Sequence, residues 1–151
     1  MAKNTGTPKT EAAAVPAPIV TTELVIVDPQ GRPCIRLTGT NPDGPSITLI
    51  DINGQNRLVL DLGQAGAPSI SLFDQGGHQR VNLHIDEVSV GDPSPSIFMT
   101  GPSPQCEAAI SIGVGDHGAN IDLYDGDGDE CIGLAVRNGQ ACVRLNAEVG
   151  R

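Results

Sequence analysis

Four segments of this chain match one another when aligned on an aspartate: ELVIVDPQGRPCIRL, SITLIDINGQNRLVL, SISLFDQGGHQRVNL and NIDLYDGDGDECIGL. Asp28, Asp51 and Asp74 are each 23 residues apart, and Asp125 follows after a degenerate copy, SIFMTGPSPQCEAAISI. The shared pattern is apolar-x-apolar-x-Asp-x-x-Gly, then three residues, then apolar-x-apolar. A period of this length marks a chain built from one supersecondary unit used several times.

The apolar positions alternate with period two, so the unit is made of strands. At the repeat centres stand Gln30-Gly31, Asn53-Gly54, Gly76-Gly77 and Asp127-Gly128. Asn-Gly, Gly-Gly and Asp-Gly predict two-residue type I′ hairpins, in which both central residues take positive φ; Gln30 fits that turn less well. With the loop at Asn53-Gly54, Leu49 opposes Leu58 and Ile47 opposes Leu60. The same rule pairs Leu72 with Val81, Ile70 with Leu83, Ile26 with Ile35, Leu24 with Leu37, Leu123 with Ile132 and Ile121 with Leu134. A turn at Asn138-Gly139 adds Leu134 with Val143 and Ile132 with Leu145. In the degenerate copy a loop at Ser103-Pro104 sets Met99 against Ala108 and Ile97 against Ile110. Every hairpin thus puts aliphatic against aliphatic on one face, and a slip of one residue would undo all of them. On the other face the rule places Ile50 opposite Arg57 and Phe73 opposite Arg80.

The expected fold is all-β: repeated hairpins, about five repeats of roughly 23–26 residues and about eleven strands in sequential order. Such a sheet carries an aliphatic face with no helix to cover it. It must close as a meander or barrel, or pair with another chain as an oligomeric sheet. A parallel β-solenoid is the alternative, with Asp-x-x-Gly as the corner of each coil. Residues 1–22, rich in Pro, Ala and Thr, are expected to be a flexible N-terminal arm, and residues 23–151 the repeat domain.

Composition narrows the function. Aromatic residues are 2% of the chain, with no Trp, which argues against stacking platforms for single-stranded nucleic acid. Both lysines, Lys3 and Lys9, lie in the arm, and from residue 23 onward seven Arg stand against 17 acids. A body that acidic repels phosphate, so no nucleic-acid partner is expected. No apolar run is long enough for membrane insertion as a helix. The arm lacks the apolar core of a secretory signal, so cytoplasmic synthesis is expected, with the four cysteines (Cys34, Cys106, Cys131, Cys142) as free thiols.

Sites of chemistry are few. Asp125, Asp127 and Asp129 in DGDGDE resemble the opening of a calcium loop, the one metal reading the sequence offers. Glu130 stands where that loop needs Gly, and Val136 where it needs Glu; an acidic hairpin turn competes with it. His78, His84 and His117 form no legible metal or Ser-His-Asp pattern. No catalytic residue and no cofactor is assigned. The repeated Asp28, Asp51, Asp74 and Asp125 read as turn residues that accept backbone hydrogen bonds.

The Asp-x-x-Gly repeat, as in LIDINGQNRLVL and LFDQGGHQRVNL, resembles the β-repeat segments of bacterial and phage fibre or surface proteins. That resemblance implies scaffolding and oligomerisation. The expected function is a non-enzymatic structural or assembly protein, a homo-oligomer or part of a larger assembly such as a virion, fibre or filament. An arm anchored by Val15, Pro16, Pro18, Ile19 and Val20 would help hold it. The competing expectation is a carbohydrate- or ligand-binding β module with repeated weak sites.

Overall fold

The computed structural model describes residues 18–39, 44–63, 66–86, 93–101, 110–115, 118–137 and 139–146. Eleven strands follow one another: β1 (Glu23–Val27), β2 (Pro33–Thr38), β3 (Ser46–Ile50), β4 (Asn56–Leu62), β5 (Pro68–Phe73), β6 (Gln79–Asp86), β7 (Ser94–Met99), β8 (Ile110–Gly115), β9 (Gly118–Tyr124), β10 (Glu130–Arg137) and β11 (Gln140–Leu145). They form one sheet in sequential order. Every neighbouring pair is antiparallel. The parallel solenoid is therefore excluded. No helix among the described residues is long and apolar enough to cross a membrane.

The sheet is open: β1 bonds only to β2 and β11 only to β10. Barrel closure, one of the two expected ways to hide the aliphatic face, does not occur. In an up-and-down meander of eleven strands the first and last run the same way. Closing it would therefore require one parallel pair in an otherwise antiparallel ladder.

The turns differ from expectation in a way that explains Gln30. In each repeat the glycine of Asp-x-x-Gly has φ between +80° and +86° (Gly31, Gly54, Gly77, Gly128), whereas Gly76 is absent from the left-handed region. Each glycine N–H donates to the repeat aspartate carbonyl, and each aspartate N–H donates to the carbonyl four residues on. This is a type I turn closed by a left-handed glycine bulge. Only the glycine needs positive φ, so Gln30, Asn53 and Asp127 are equally suited to the position before it.

The bulge also moves the positions next to the turn. Ile50 faces Asn56 and Phe73 faces Gln79, not Arg57 and Arg80, because the extra residue is absorbed there. Beyond the bulge the aliphatic pairs stand as expected in all four Asp-x-x-Gly hairpins and at the last turn. In the degenerate copy, however, Met99 faces Ile110 and Ile97 faces Ile112, two residues from the expected register. The partner then expected for Met99, Ala108, lies outside the described residues. A shift of two keeps the same face, so the aliphatic pattern survives it.

Candidate assembly surface

Joined across all eleven strands, the pairings build two unbroken aliphatic rows. One runs Ile26, Ile35, Leu49, Leu58, Leu72, Val81, Met99, Ile110, Leu123, Ile132, Leu145. The other runs Leu24, Leu37, Ile47, Leu60, Ile70, Leu83, Ile97, Ile112, Ile121, Leu134, Val143. A third, shorter-chained row on the same face includes the pairs Leu62–Pro68, Ile85–Pro95, Val114–Ala119 and Val136–Ala141. With strands about 4.8 Å apart, the rows are roughly 48 Å long. None of these positions carries a charge.

Burial is the reverse of what a one-layer reading of hydrophobicity suggests. Among the described residues the buried positions are Thr48, Ser71, Ser111, Asp122, Gly133 and Ala135, all on the opposite face. Ser71, Ser111 and Ala135 stand between longer neighbours on adjacent strands, while Asp122 is covered by Arg144 reaching across Gly133. Ser71 Oγ accepts from Gln79 Nε2 (2.8 Å) and Asn82 Nδ2 (3.1 Å), while Ser69 Oγ donates to Asp61 (2.6 Å). On the aliphatic face Leu72 is 39% and Leu134 44% exposed, because no second layer stands over them. Toward one end, over β1–β6, this face bounds a trough of about 810 Å³ lined by Leu24, Leu37, Ile47, Leu60, Ile70 and Leu83, with Ile19 at its rim.

The repeat aspartates act on their own turns. Oδ1 of Asp28, Asp51, Asp74 and Asp125 each accepts the N–H groups two and four residues on, at 2.8–3.0 Å. Those backbone donors hold all four carboxyls below the usual carboxylate range, Asp74 at about 2. An arginine adds to this in three repeats. Arg32 and Arg80 bond to Asp28 and Asp74 at 2.7 Å, and Arg57 lies 3.4 Å from Asp51 while donating 3.0 Å to the Phe73 carbonyl. Arg80 likewise reaches the Gly101 carbonyl. Arg57 and Arg80 thereby tie one hairpin to the next.

Of the calcium candidates, Asp125 turns its Oδ1 onto the N–H groups of Asp127 and Asp129, at 3.0 Å each. Among the described residues no group of three or more His, Cys, Asp or Glu is placed to hold a metal ion. Of the arm, Pro18, Ile19 and Val20 are exposed; Val15 and Pro16 lie outside the described residues. Cys34, Cys131 and Cys142 are free thiols, and Cys106 lies outside the described residues, as does His117. His78 stands 3.4 Å from Asp74 at its turn.

Two polar constellations were not legible one residue at a time. Across β9–β11, Arg144 lies 3.4 Å from Asp122 and 3.2 Å from Glu130. Burial and these two carboxylates push the Tyr124 hydroxyl pKa up. On β6 and β7, Asn82 Nδ2 is committed to Ser71. Its Oδ1 therefore accepts from His84 Nδ1 at 2.6 Å, leaving Nε2 to accept from Ser96 Oγ at 3.1 Å; Phe98 stacks on the ring at 5.6 Å. A base held against a hydroxyl is half of a nucleophilic site. Here it lies on strands whose neighbours on both sides are paired, so the ladder engages the backbone N–H groups that an oxyanion would need. Register arithmetic finds both clusters: Asp122, Gly133 and Arg144 fall in one row, as do Ser69, His84 and Ser96.

No family model matches the chain, and no curated protein matches it either.

Proposed function

We propose that this chain is a non-enzymatic structural protein that assembles by laying its aliphatic face against copies of itself, within a larger assembly of capsid-decoration, fibre or filament type. One observation carries the reading: the two complete aliphatic rows stand on the exposed side of the sheet while the buried residues lie on the polar side. An uncharged patch of this extent is far larger than the apolar patches of ordinary monomers. About sixteen large side chains of that face are roughly four-tenths exposed, so covering them contributes on the order of 10 kcal/mol per copy. Two faces together exceed the roughly 4–15 kcal/mol that association costs.

A copy is the natural cover. Its rows repeat at the same strand spacing, so ridges of one sheet meet grooves of the other along their whole length. Among the described residues the acids of the body sit at turns or on the other face, so on this face copies approach without like charges meeting. The aliphatic lining of the trough suits another apolar surface better than a sugar. The arm, with Val15, Pro16, Pro18, Ile19 and Val20 and both lysines, is a second contact, steered by the acidic body and weakened by salt. Light scattering on the full chain tests this: an oligomer is expected, and removing residues 1–20 should lower its order while leaving the β circular dichroism intact. A full-length monomer at micromolar concentration, unchanged by that deletion, would refute the reading.

A further inference from the structure

The edge strand β1 carries a feature that the face packing leaves unexplained. Val25 and Val27 place two branched aliphatic side chains on the otherwise mainly polar face, at the margin of the sheet, 38% and 51% exposed. The strand also has no Pro, Lys or bulge of its own to blunt its edge, the usual devices that stop a free strand from pairing. Its backbone direction is fixed. Thr22 accepts from Gly39 N–H at 2.8 Å and Asp28 N–H donates to Arg32 at 2.9 Å, so the even-numbered positions bond to β2. By alternation Glu23, Val25 and Val27 turn their N–H and C=O groups outward. Among the described residues only the Glu23 groups are met, by Thr21 Oγ at 2.8 and 3.4 Å.

We propose that β1 pairs with β1 of a second copy, antiparallel about a two-fold axis through Val25, making one continuous sheet of the two. In that register Val25 lies beside its symmetry mate and Leu24 opposes Ile26, so both aliphatic rows run on into the second copy. Glu23 opposes Val27, and no like charges face each other; the Glu23 carboxylate keeps Arg36, at 3.3 Å. The four valines gather on the polar face, where cross-strand and diagonal neighbours touch. Joining β1 to β11 of the next copy fits less well, since those strands run the same way and would pair in parallel.

Cysteine cross-linking reads the register directly. In a chain whose four native cysteines are replaced by serine, Val25→Cys puts two thiols on a directly opposed pair, about 5.5 Å apart at Cα, within disulfide reach. Mild oxidation should convert most of it to a species of twice the mass on a non-reducing gel. Val27→Cys, opposite Glu23, should stay almost wholly monomeric under the same conditions. The edge contact is separate from the face contact: adding Leu72→Asp should leave the Val25→Cys cross-link in place even where the larger assembly is lost. No cross-link from Val25→Cys, or equal cross-linking from Val27→Cys, would overturn the proposal.

Discussion

Arg144 on β11 and Asp122 on β9 meet over the strand between them, 3.4 Å apart. The contact depends on Gly133, which lies in the same row of β10. A Cβ there would stand 2.5 Å from Glu130 Oε1 and 3.0 Å from Arg144 Nε. The missing side chain is the channel through which the guanidinium reaches the carboxylate of Asp122, whose side chain is 10% exposed.

Gly133→Ala should therefore push Glu130 and Arg144 aside and cost about 1–2 kcal/mol, the scale of a weakened charged hydrogen bond. Urea unfolding measures it. If the bridge is the cause, the loss should largely vanish in an Arg144→Ala background; an undiminished loss there would point to backbone strain instead.

The turn assignment separates two neighbouring residues. Gly54→Ala forces a side chain into the left-handed region and should cost about 1–2 kcal/mol. Asn53→Ala should cost well under half of that, because its φ carries no such demand. Equal losses would restore the type I′ turn.

Acid should loosen the turns. The folded chain holds Asp28, Asp51, Asp74 and Asp125 below their ordinary values, so the unfolded state binds more protons and stability rises with pH. The stabilisation is complete above the ordinary carboxylate value of about 4 and is lost as pH falls through the folded values, toward the Asp74 value of about 2. Urea midpoints between pH 5 and pH 2 should fall accordingly, and less steeply in Asp74→Asn. A flat profile would show that the turn bonds add nothing.

How much of this was legible in the sequence varies by level. Strand identity, facing and parity were, because an aliphatic at every second position leaves one face available. The turn type was not, since Asn-Gly suits both a type I′ turn and a left-handed glycine bulge; Gln30 was the tell. Register in the degenerate copy was missed by two because alternation fixes pairing only up to an even shift and no Asp-x-x-Gly anchors that loop. Arg144 with Asp122 required following one row across three strands rather than one hairpin at a time. The odd number of strands, which would force one parallel pair on closure, is a property no single repeat reveals.

The most direct test of the covered face compares two adjacent residues on opposite sides of β5. In a lone sheet Ser71, 7% exposed and bonded by Gln79 and Asn82 of β6, is the sensitive position, and Leu72, 39% exposed, the tolerant one. If copies cover the aliphatic face, a charge at Leu72 is forced into an apolar contact and the assembly fails. Sedimentation equilibrium at micromolar concentration should give wild type a mass that is a multiple of 15.6 kDa and Leu72→Asp a smaller one, no greater than two chains joined edge to edge. A wild type of single-chain mass, no less stable when Leu72 becomes Asp, would contradict the account.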